Sequence, residues 1–388
     1  MRQLLPWPRS RMCEGFMKGV ERIAALGQRI WYDNISRDLL ASGGLRALVA
    51  QGVRGVTTNP TIFEKAIGEG THYDADIRAL EAQGLSPEAM VRELMISDVR
   101  RAADILRPVF DASLAVDGYV SIEVAPDEAQ DVDATVAEAK TLWSTIARPN
   151  VMIKIPATEA GYQAMREVLA QGINVNVTLI FSPQSYERVA AAYCAALEER
   201  LTRGLAIDRV ASVASVFVSR VDTVVDAQLQ ERLQNAPAAE AKRLKSLLGH
   251  AGIANAQRIY QRYKDLFRGK DFARLRARGA RPQWPLWAST SNKNPAYSAT
   301  RYIDRLIAQD TINTVPPQTF QALLTHKPKA LLEAEIAQSL AVHDGLRREG
   351  IDLPQILDTL LDEGLASFLR SYQALTARLA HKKGTLTI

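Results

Sequence analysis

Residues that build disulfide frameworks or metal sites are scarce in this chain of 388 residues. It has two cysteines, Cys13 and Cys194, and five histidines that follow no metal-ligand spacing. Two cysteines cannot form a disulfide framework or a cysteine-based metal site, and such sparing use is typical of a reducing compartment. We therefore expect a cytoplasmic protein with no metal centre.

Long apolar runs and strongly basic segments are missing as well. No apolar run reaches the roughly 20 residues that a membrane-spanning helix needs, and Pro6 and Pro8 interrupt the basic opening segment before it could form a signal-peptide core. Aromatic residues make up only 6% of the chain, and no basic run is interleaved with them. The small net charge of +5 favours solvation and attraction for anionic small molecules. The composition predicts neither a membrane nor a nucleic-acid partner.

The chain does contain a regular alternation of short apolar runs and longer segments of helical period. Such alternation indicates βα units and a parallel sheet. No GxGxxG motif follows the first run, which weakens the case for a dinucleotide-binding sheet. Eight strands interleaved with helices favour an α/β fold of the (β/α)8 TIM-barrel type with additional helices. The predicted strands are residues 29–34, 53–58, 119–125, 151–156, 175–181, 210–218, 285–289 and 311–315.

Three segments exceed what a minimal barrel needs, and we interpret them as additions to a single domain that spans residues 1–388. They are an N-terminal lead (1–25), a helical insertion (223–283) and C-terminal helices (318–388). A separate small domain at 223–283 is the alternative. No low-complexity linker separates any of them from the barrel.

Polar residues lie on several predicted strands, near the ends where a barrel of this type carries its active site. Lys154 interrupts the apolar run VMIKIP, and a lysine is almost never fully buried without a partner or a purpose. Taken singly, such residues could be turns, caps or buried ion-pair partners. Their convergence favours a functional site, because buried polar groups require partners. The others are Asp33, Asn59, Glu123, Asn176, Thr178, Ser215 and Arg220.

The lysine suggests the chemistry of this site. A free lysine has a pKa of about 10.4, and desolvation inside an apolar barrel disfavours the ammonium form. A desolvated lysine forms Schiff bases with carbonyl substrates. Asp33 and Glu123 could move the protons that imine formation and carbon–carbon cleavage require. The residues therefore predict an aldol-type lyase or transferase that acts on a ketose.

Two segments resemble the signature segments of the transaldolase family, GVTTNPTIF (55–63) and VMIKIPATEAG (151–161). The chain is similar to that family from about residue 20 to residue 380, through further segments such as VSIEVAP (120–126), INVNVTLIFS (173–182) and SVFVSRVD (215–222). It most resembles the longer bacterial transaldolases, including the transaldolase part of fusions with phosphoglucose isomerase.

The resemblance implies a role for each catalytic residue. Lys154 would form the Schiff base with the ketose C2 carbonyl, and Asp33 would take the proton of the C4 hydroxyl as the C3–C4 bond breaks. Glu123, through a water held with Thr178, would move protons during imine formation. No metal or organic cofactor is implied, because the protonated imine is itself the electron sink.

The resemblance also implies how the substrate is held. Asn59, Asn176 and Ser215 would bind the hydroxyls of the dihydroxyacetone unit, and Arg220 would bind the substrate phosphate. The chain departs from the family after the seventh strand, where many transaldolases have an A-S-x-R segment and this chain has Ala288-Ser289-Thr290-Ser291. The second phosphate ligand would then be Ser289 or Lys293.

Three functions remain open on the sequence. Transaldolase activity on sugar phosphates is the leading prediction, in the pentose phosphate pathway. A fructose-6-phosphate aldolase would share the barrel and the lysine. A catalytically silent barrel that binds sugar phosphates, or binds proteins through residues 223–283, is a third possibility. The protein could be a monomer or a homodimer.

Overall fold

A closed barrel of eight parallel strands forms the centre of the protein, in the order β1 to β8 with β8 paired to β1. The computed structural model describes residues 19–68 and 70–386. The barrel confirms the predicted (β/α)8 fold. Its strands are β1 (Gln28–Tyr32), β2 (Gly55–Val56), β3 (Tyr119–Glu123), β4 (Val151–Pro156), β5 (Val175–Ile180), β6 (Ser212–Phe217), β7 (Trp284–Ala288) and β8 (Thr311–Val315).

Helices follow the strands, as the sequence pattern predicts. A short 3-10 helix, Pro126–Glu128, follows β3. The α-helices are α1 (Gly19–Ala25), α2 (Arg37–Ala41), α3 (Gly44–Ala50), α4 (Pro60–Gly68), α5 (Asp74–Ala82), α6 (Pro87–Ala112), α7 (Val132–Ile146), α8 (Glu159–Ala170), α9 (Pro183–Thr202), α10 (Ser219–Leu233), α11 (Ala238–Leu247), α12 (Ala251–Phe267), α13 (Ala273–Ala277), α14 (Arg301–Leu306), α15 (Pro317–Thr325), α16 (Leu332–Glu335), α17 (Gln338–Arg348) and α18 (Leu353–Leu386).

The strands are rich in apolar residues because both of their faces are buried, one in the barrel interior and one under the helices. All six residues of β4 are buried, as are all six of β5 and of β6. The outer faces pack on the helices, and the inner faces fill the barrel with large side chains such as Trp31 and Met152. A parallel barrel of this kind is a packed core and not a pore.

The second strand is shorter than the predicted 53–58. Its ladder ends at Val56, because the chain turns at Thr57–Asn59 into α4, where the Asn59 side-chain oxygen accepts a hydrogen bond from the Ile62 amide at 3.0 Å. Gly55 is required in this strand, since a Cβ atom there would lie 2.4 Å from the Trp31 ring. The turn therefore delivers three polar residues to the carboxyl end of the barrel.

The structure describes part of the first predicted addition and almost all of the other two. Residues 1–18 of the N-terminal lead, with Cys13, lie outside the described residues, and α1 forms its remainder. The insertion 223–283 holds most of α10 together with α11 to α13, and the aromatic face of α12 joins the same hydrophobic cluster as the barrel. The C-terminal region holds α16 to α18 and most of α15. None of the described helices has the length and apolar character that a membrane crossing requires.

The last helix, α18, lies across the carboxyl end of the barrel. It packs against α4, α5, α6 and α10. The Thr61 and Ser371 hydroxyls are 2.7 Å apart, and Arg378 forms an ion pair with Glu64 at 3.1 Å. Gly364 permits a close approach, because a Cβ there would lie 2.9 Å from Leu179. The helix therefore covers the region where the predicted site residues converge.

Candidate active site

A cavity of about 590 Å³ opens at the carboxyl ends of the strands, under α18. The structure places eight of the ten predicted site residues on its wall. Glu123 and Asn176 are buried beside these residues, Glu123 next to Lys154 and Asn176 next to Ser215. The eight on the wall are Asp33, Asn59, Lys154, Thr178, Ser215, Arg220, Ser289 and Lys293.

Lys154 lies in the middle of β4, and its side chain points into the barrel. Its ammonium donates a hydrogen bond to the Thr58 carbonyl at 3.0 Å and lies 3.6 Å from the Glu123 carboxylate. The strand register aligns Glu123, Lys154 and Asn176 on three adjacent strands. Lys154 is 5% exposed, so the barrel shields it almost completely from bulk water. An amine so placed can meet a ligand only from the cavity.

Glu123 is the group most strongly affected by this burial. Desolvation raises the pKa of its carboxyl to about 7, although the charge of Lys154 opposes the rise. Neither carboxylate oxygen has a hydrogen-bond partner among the described residues, and the same holds for the Thr178 hydroxyl. Glu123 can therefore both give and take a proton near neutral pH, next to the amine of Lys154.

Thr178 lies two residues after Asn176 on β5, so the alternation of the strand puts both side chains on the same face. The register with β6 shifts between Val177 and Ile180, and Leu179 has a left-handed backbone with φ of 59°. Bulges of this kind redirect side chains and are frequent next to active sites. Here the irregularity comes directly after Thr178, whose side chain lines the cavity.

Asp33 follows β1 and is the second carboxylate of the cavity. Its Oδ1 accepts a hydrogen bond from the Thr57 hydroxyl at 2.7 Å, and the Thr57 and Thr314 hydroxyls are 2.5 Å apart. Burial raises the pKa of Asp33, while the Thr57 hydrogen bond and the charges of Lys154 and Lys293 oppose the rise. The hydroxyl pair holds the carboxylate at the edge of the cavity.

A chain of hydrogen-bonded polar side chains lies beside Lys154, and its last member, Ser215, lines the cavity. The Ser215 hydroxyl donates to the Asn176 Oδ1 at 2.6 Å, and the Asn176 amide donates to the Ser121 hydroxyl at 2.9 Å. Asn59 caps α4 with its oxygen and presents the rest of its amide to the cavity. These groups suit the hydroxyls of a small polar ligand.

Positive charge gathers at one end of the cavity. Arg220, in the first turn of α10, is half-buried with its guanidinium 5.1 Å from the centre of the Phe217 ring, and burial lowers its pKa. Ser289, Ser291 and the exposed Lys293 follow β7 and lie on the same cavity wall. Ser289 has φ of 53°, and its carbonyl accepts from the Ser219 amide at 3.0 Å. The charge and the hydroxyls suit an anionic group.

Sequence reasoning gave no role in the site to four residues of this cavity that contact its charged groups or add a charge to it. Thr57 and Thr314 hold Asp33, Lys65 of α4 adds a cation to the wall, and Phe368 of α18 lies over Lys154 with its ring centre 5.7 Å from Nζ. Thr314 carried a usable signal, since it is a polar residue at the end of the eighth strand. No sequence signal distinguishes Phe368 from the other apolar residues of a long helix.

A (β/α)8 barrel with a lysine on its inner wall, between a glutamate and an aspartate, defines the class of enzymes that act on carbonyl compounds through an imine. The chain belongs to the transaldolase/fructose-6-phosphate aldolase family, whose model matches residues 30–379. This confirms the resemblance seen in the sequence.

Individual relatives agree with this assignment. The chain is 46% identical to "Transaldolase 2" of Nostoc sp., over 93% of this chain and 96% of the relative. It is 45% identical to "Transaldolase" of Mycolicibacterium smegmatis, over 91% and 94% of the two chains. It is 43% identical to "Transaldolase" of Thiobacillus denitrificans, over 92% and 98%. The relatives favour a transaldolase over the alternative of a fructose-6-phosphate aldolase.

Proposed function

We propose that this protein is a transaldolase that moves a dihydroxyacetone unit from a ketose phosphate to an aldose phosphate. The donor would be sedoheptulose 7-phosphate or fructose 6-phosphate, and the acceptor glyceraldehyde 3-phosphate or erythrose 4-phosphate. The observation that carries the proposal is the position of Lys154, buried in the barrel wall 3.6 Å from Glu123 and open only to the cavity.

The first step is imine formation. The neutral amine of Lys154 attacks the C2 carbonyl, and the resulting carbinolamine loses water to give a protonated imine. Glu123 supplies and removes the protons, with the Thr178 hydroxyl placed to help it hold the water that leaves. A carboxyl whose pKa is about 7 suits this double role, because both of its forms are populated at neutral pH.

The second step is cleavage of the C3–C4 bond. Asp33 takes the proton of the C4 hydroxyl, the oxygen becomes an aldehyde, and the electron pair of the broken bond moves to the imine nitrogen. The aldose phosphate leaves, and a three-carbon enamine stays on Lys154. Attack of this enamine on the acceptor aldehyde, with the proton returned from Asp33, reverses the sequence and forms the new ketose.

The remaining residues hold the substrate. Asn59, Asn176 and Ser215 would bind the hydroxyls of the three-carbon unit, since Asn59 and Ser215 line the cavity with Lys154 and Asn176 is hydrogen-bonded to Ser215. Arg220 would bind the phosphate, with Ser289 and Lys293 beside it, because a guanidinium offers a fork of donors to an oxyanion. The phosphate would anchor the substrate so that C2 lies next to the amine.

Borohydride reduction tests the proposal at its central bond. With fructose 6-phosphate present, reduction should attach a three-carbon adduct to the peptide that contains Lys154. The conservative variant Lys154→Met should fold and form no adduct, since methionine fills a similar volume without a charge. Lys65 and Lys293, which line the same cavity, serve as internal controls. An adduct on either of them, or none on Lys154, would contradict the imine assignment.

The dependence on an acceptor separates the transferase from an aldolase. Fructose 6-phosphate alone should release dihydroxyacetone slowly, and addition of erythrose 4-phosphate should give rapid formation of sedoheptulose 7-phosphate. Equal rates with and without the acceptor would favour the aldolase.

A further inference from the structure

Three polar residues recur along one face of α10, the helix that also carries Arg220. They are Ser219, Asp222 and Asp226, at positions i, i+3 and i+7, and such spacing places side chains on the same side of a helix. All three are buried, and Asp222 is only 2% exposed. The mechanism described above uses none of them.

Each of the three contacts the segment that follows β7, residues 289–302. The Ser219 and Ser289 hydroxyls are 3.0 Å apart. The Asp226 carboxylate accepts a hydrogen bond from the Tyr297 hydroxyl at 2.7 Å. The Asp222 carboxylate accepts one from the Tyr302 hydroxyl at 2.8 Å. One helix face therefore ties this segment at its start, in its middle and at its end.

The two carboxylates also fix α10 to the beginning of α12. Asp222 accepts from the Gly252 amide and Asp226 from the Gly249 amide, each at 2.7 Å. The packing leaves no room for side chains here: a Cβ on Gly252 would lie 2.5 Å from the Val218 carbonyl oxygen, and one on Gly249 would lie 2.7 Å from the Tyr297 ring. Each aspartate thus joins three elements of the structure at one point.

Arg301 packs against the Tyr297 ring and links it to Gly249. Its guanidinium lies 4.5 Å from the centre of the Tyr297 ring and donates to the Gly249 carbonyl at 2.6 Å. Between the ties, residues 292–297 fold on themselves through side-chain hydrogen bonds of Asn292 and Asn294. Lys293 lies within this folded stretch and is the single cation of residues 289–300.

Two buried carboxylates are a costly way to hold a loop, since well-packed apolar residues often stabilise a fold as well or better. What charged hydrogen bonds supply is a defined geometry. Here the geometry that they define is that of Arg220, on α10, relative to Ser289, Ser291 and Lys293, on the segment after β7. These are the groups that form the positively charged, anion-binding end of the cavity.

We propose that Asp222 and Asp226, acting through Tyr302 and Tyr297, are positioning residues for the phosphate end of the substrate. They hold the two halves of the phosphate site, Arg220 and the segment 289–302, at the spacing that a phosphate monoester requires. This inference rests on the proposed function. Loss of either tie loosens the phosphate site and leaves the imine chemistry at Lys154 intact.

The test compares Tyr297→Phe and Tyr302→Phe with the matched control Tyr263→Phe. Tyr263 is also a buried tyrosine that donates to an aspartate, Asp310 at 3.0 Å, but Asp310 precedes β8 and so lies at the opposite end of the barrel. KM and kcat are measured with fructose 6-phosphate and with unphosphorylated fructose as donors, and Arg220→Ala serves as the positive reference.

Each of the two variants should raise KM for fructose 6-phosphate on the order of 10-fold, the scale of one lost hydrogen bond to a charged group. The kcat with fructose 6-phosphate and the KM for fructose should stay near the wild-type values. Tyr263→Phe should leave the ratio of the two KM values unchanged, whatever its melting temperature. Equal changes with both donors, or no change in KM for fructose 6-phosphate, would overturn the proposal.

A second measurement tests the positioning role independently of transaldolase activity. If the wild-type protein shows no transfer, the proposed function fails, and the ties are still tested by amide hydrogen exchange and by calorimetric titration with inorganic phosphate. Faster exchange in residues 289–302, with weaker phosphate binding in Tyr297→Phe than in Tyr263→Phe, supports the positioning role. Unchanged exchange and unchanged phosphate affinity would refute it.

Discussion

At the scale of the residue, the pair of Lys154 and Glu123 could be read as a buried ion pair that only maintains the fold. The distance of 3.6 Å and the burial of both groups agree with that view. A purely structural pair, however, has its remaining donors and acceptors satisfied, because unpaired buried charges are costly. Both Glu123 oxygens lack a hydrogen-bond partner among the described residues. The unpaired Glu123 oxygens lie next to a cavity, where a bound substrate and a water would supply their hydrogen bonds.

The titration of Glu123 gives a prediction for the variant Glu123→Gln. Burial raises the pKa of this carboxyl to about 7, so its ionised fraction grows with pH across neutrality. Imine formation needs the carboxylate as proton acceptor, so the wild-type rate should rise with pH through a midpoint near that pKa. Glu123→Gln should lower kcat roughly 100-fold or more, the scale of a general acid–base group, and remove this midpoint. Steady-state assays of transfer, run on both sides of neutral pH, measure both effects.

The matched control is Glu138→Gln. Glu138 is another buried glutamate whose pKa burial raises, but it belongs to α7, pairs with Arg92 at 2.8 Å and does not line the cavity. The control should keep both the rate and the midpoint. A midpoint that persists in Glu123→Gln would assign the titration to another group.

At the scale of the element, α18 does more than complete the helical layer. It carries Phe368 to a position over Lys154, where the ring is only 5% exposed. A transferase has to keep its three-carbon adduct until the acceptor arrives, and exclusion of water slows hydrolysis of an imine. The helix therefore places an apolar side chain over the nitrogen of Lys154.

Phe368→Ala should raise the ratio of dihydroxyacetone release to transfer several-fold, because the opened site admits water to the adduct. Coupled assays of both products, with and without erythrose 4-phosphate, measure this ratio. Leu357→Ala is the control, since it removes a side chain of the same helix that is equally buried, at 5% exposure, and does not line the cavity. Both variants should lose about 2–5 kcal/mol of stability. A ratio that rises equally in both would attribute the effect to loosening of the helix.

At the scale of the whole molecule, closure of the barrel depends on side chains that bridge its strands. Asn174, just before β5, donates to the carbonyls of Pro149 and Val151 at 3.0 and 3.1 Å and accepts from the Ala211 amide at 2.9 Å. It thereby joins the beginnings of β4, β5 and β6. Asn176, two residues further on, bonds instead to Ser121 and Ser215 beside the cavity. We therefore expect Asn174 to serve stability and Asn176 to serve function.

Asn174→Ala should destabilise the fold and leave catalysis nearly unchanged. The substitution removes the hydrogen-bond partner of three buried backbone groups, and each such group costs about 1–3 kcal/mol when it is unpaired. Asn176→Ala should instead lower kcat/KM on the order of 10- to 100-fold with a smaller loss of stability, the scale of hydrogen bonds lost to a substrate. Differential scanning calorimetry and steady-state kinetics give the two measurements. The opposite pattern, a stable Asn174→Ala with impaired kcat/KM, would reverse the two roles.

The strands were predictable from the sequence to within a few residues. The run 151–156 and the run 311–315 match β4 and β8 without any shift, and every residue of both strands is buried. The prediction failed most at β2, where the polar run Thr57–Asn59 continues the extended chain after the ladder stops. A pattern of side chains reports burial, and only the hydrogen bonds of the backbone decide where a strand ends.

What the sequence determined by itself was the barrel and the set of groups on its strands, because period and polarity are local properties that a single chain displays. Lys154, Glu123 and Asp33 could be named as partners since strands of a parallel barrel bring their carboxyl ends to one rim. Only the tertiary structure decided which residues outside the strands pack against that rim. Phe368 of α18, and the ties from Asp222 and Asp226 to the segment after β7, join residues far apart in the chain. Such contacts depend on how whole helices pack, and helix packing is fixed by the complementary shapes of surfaces that do not exist until the chain has folded.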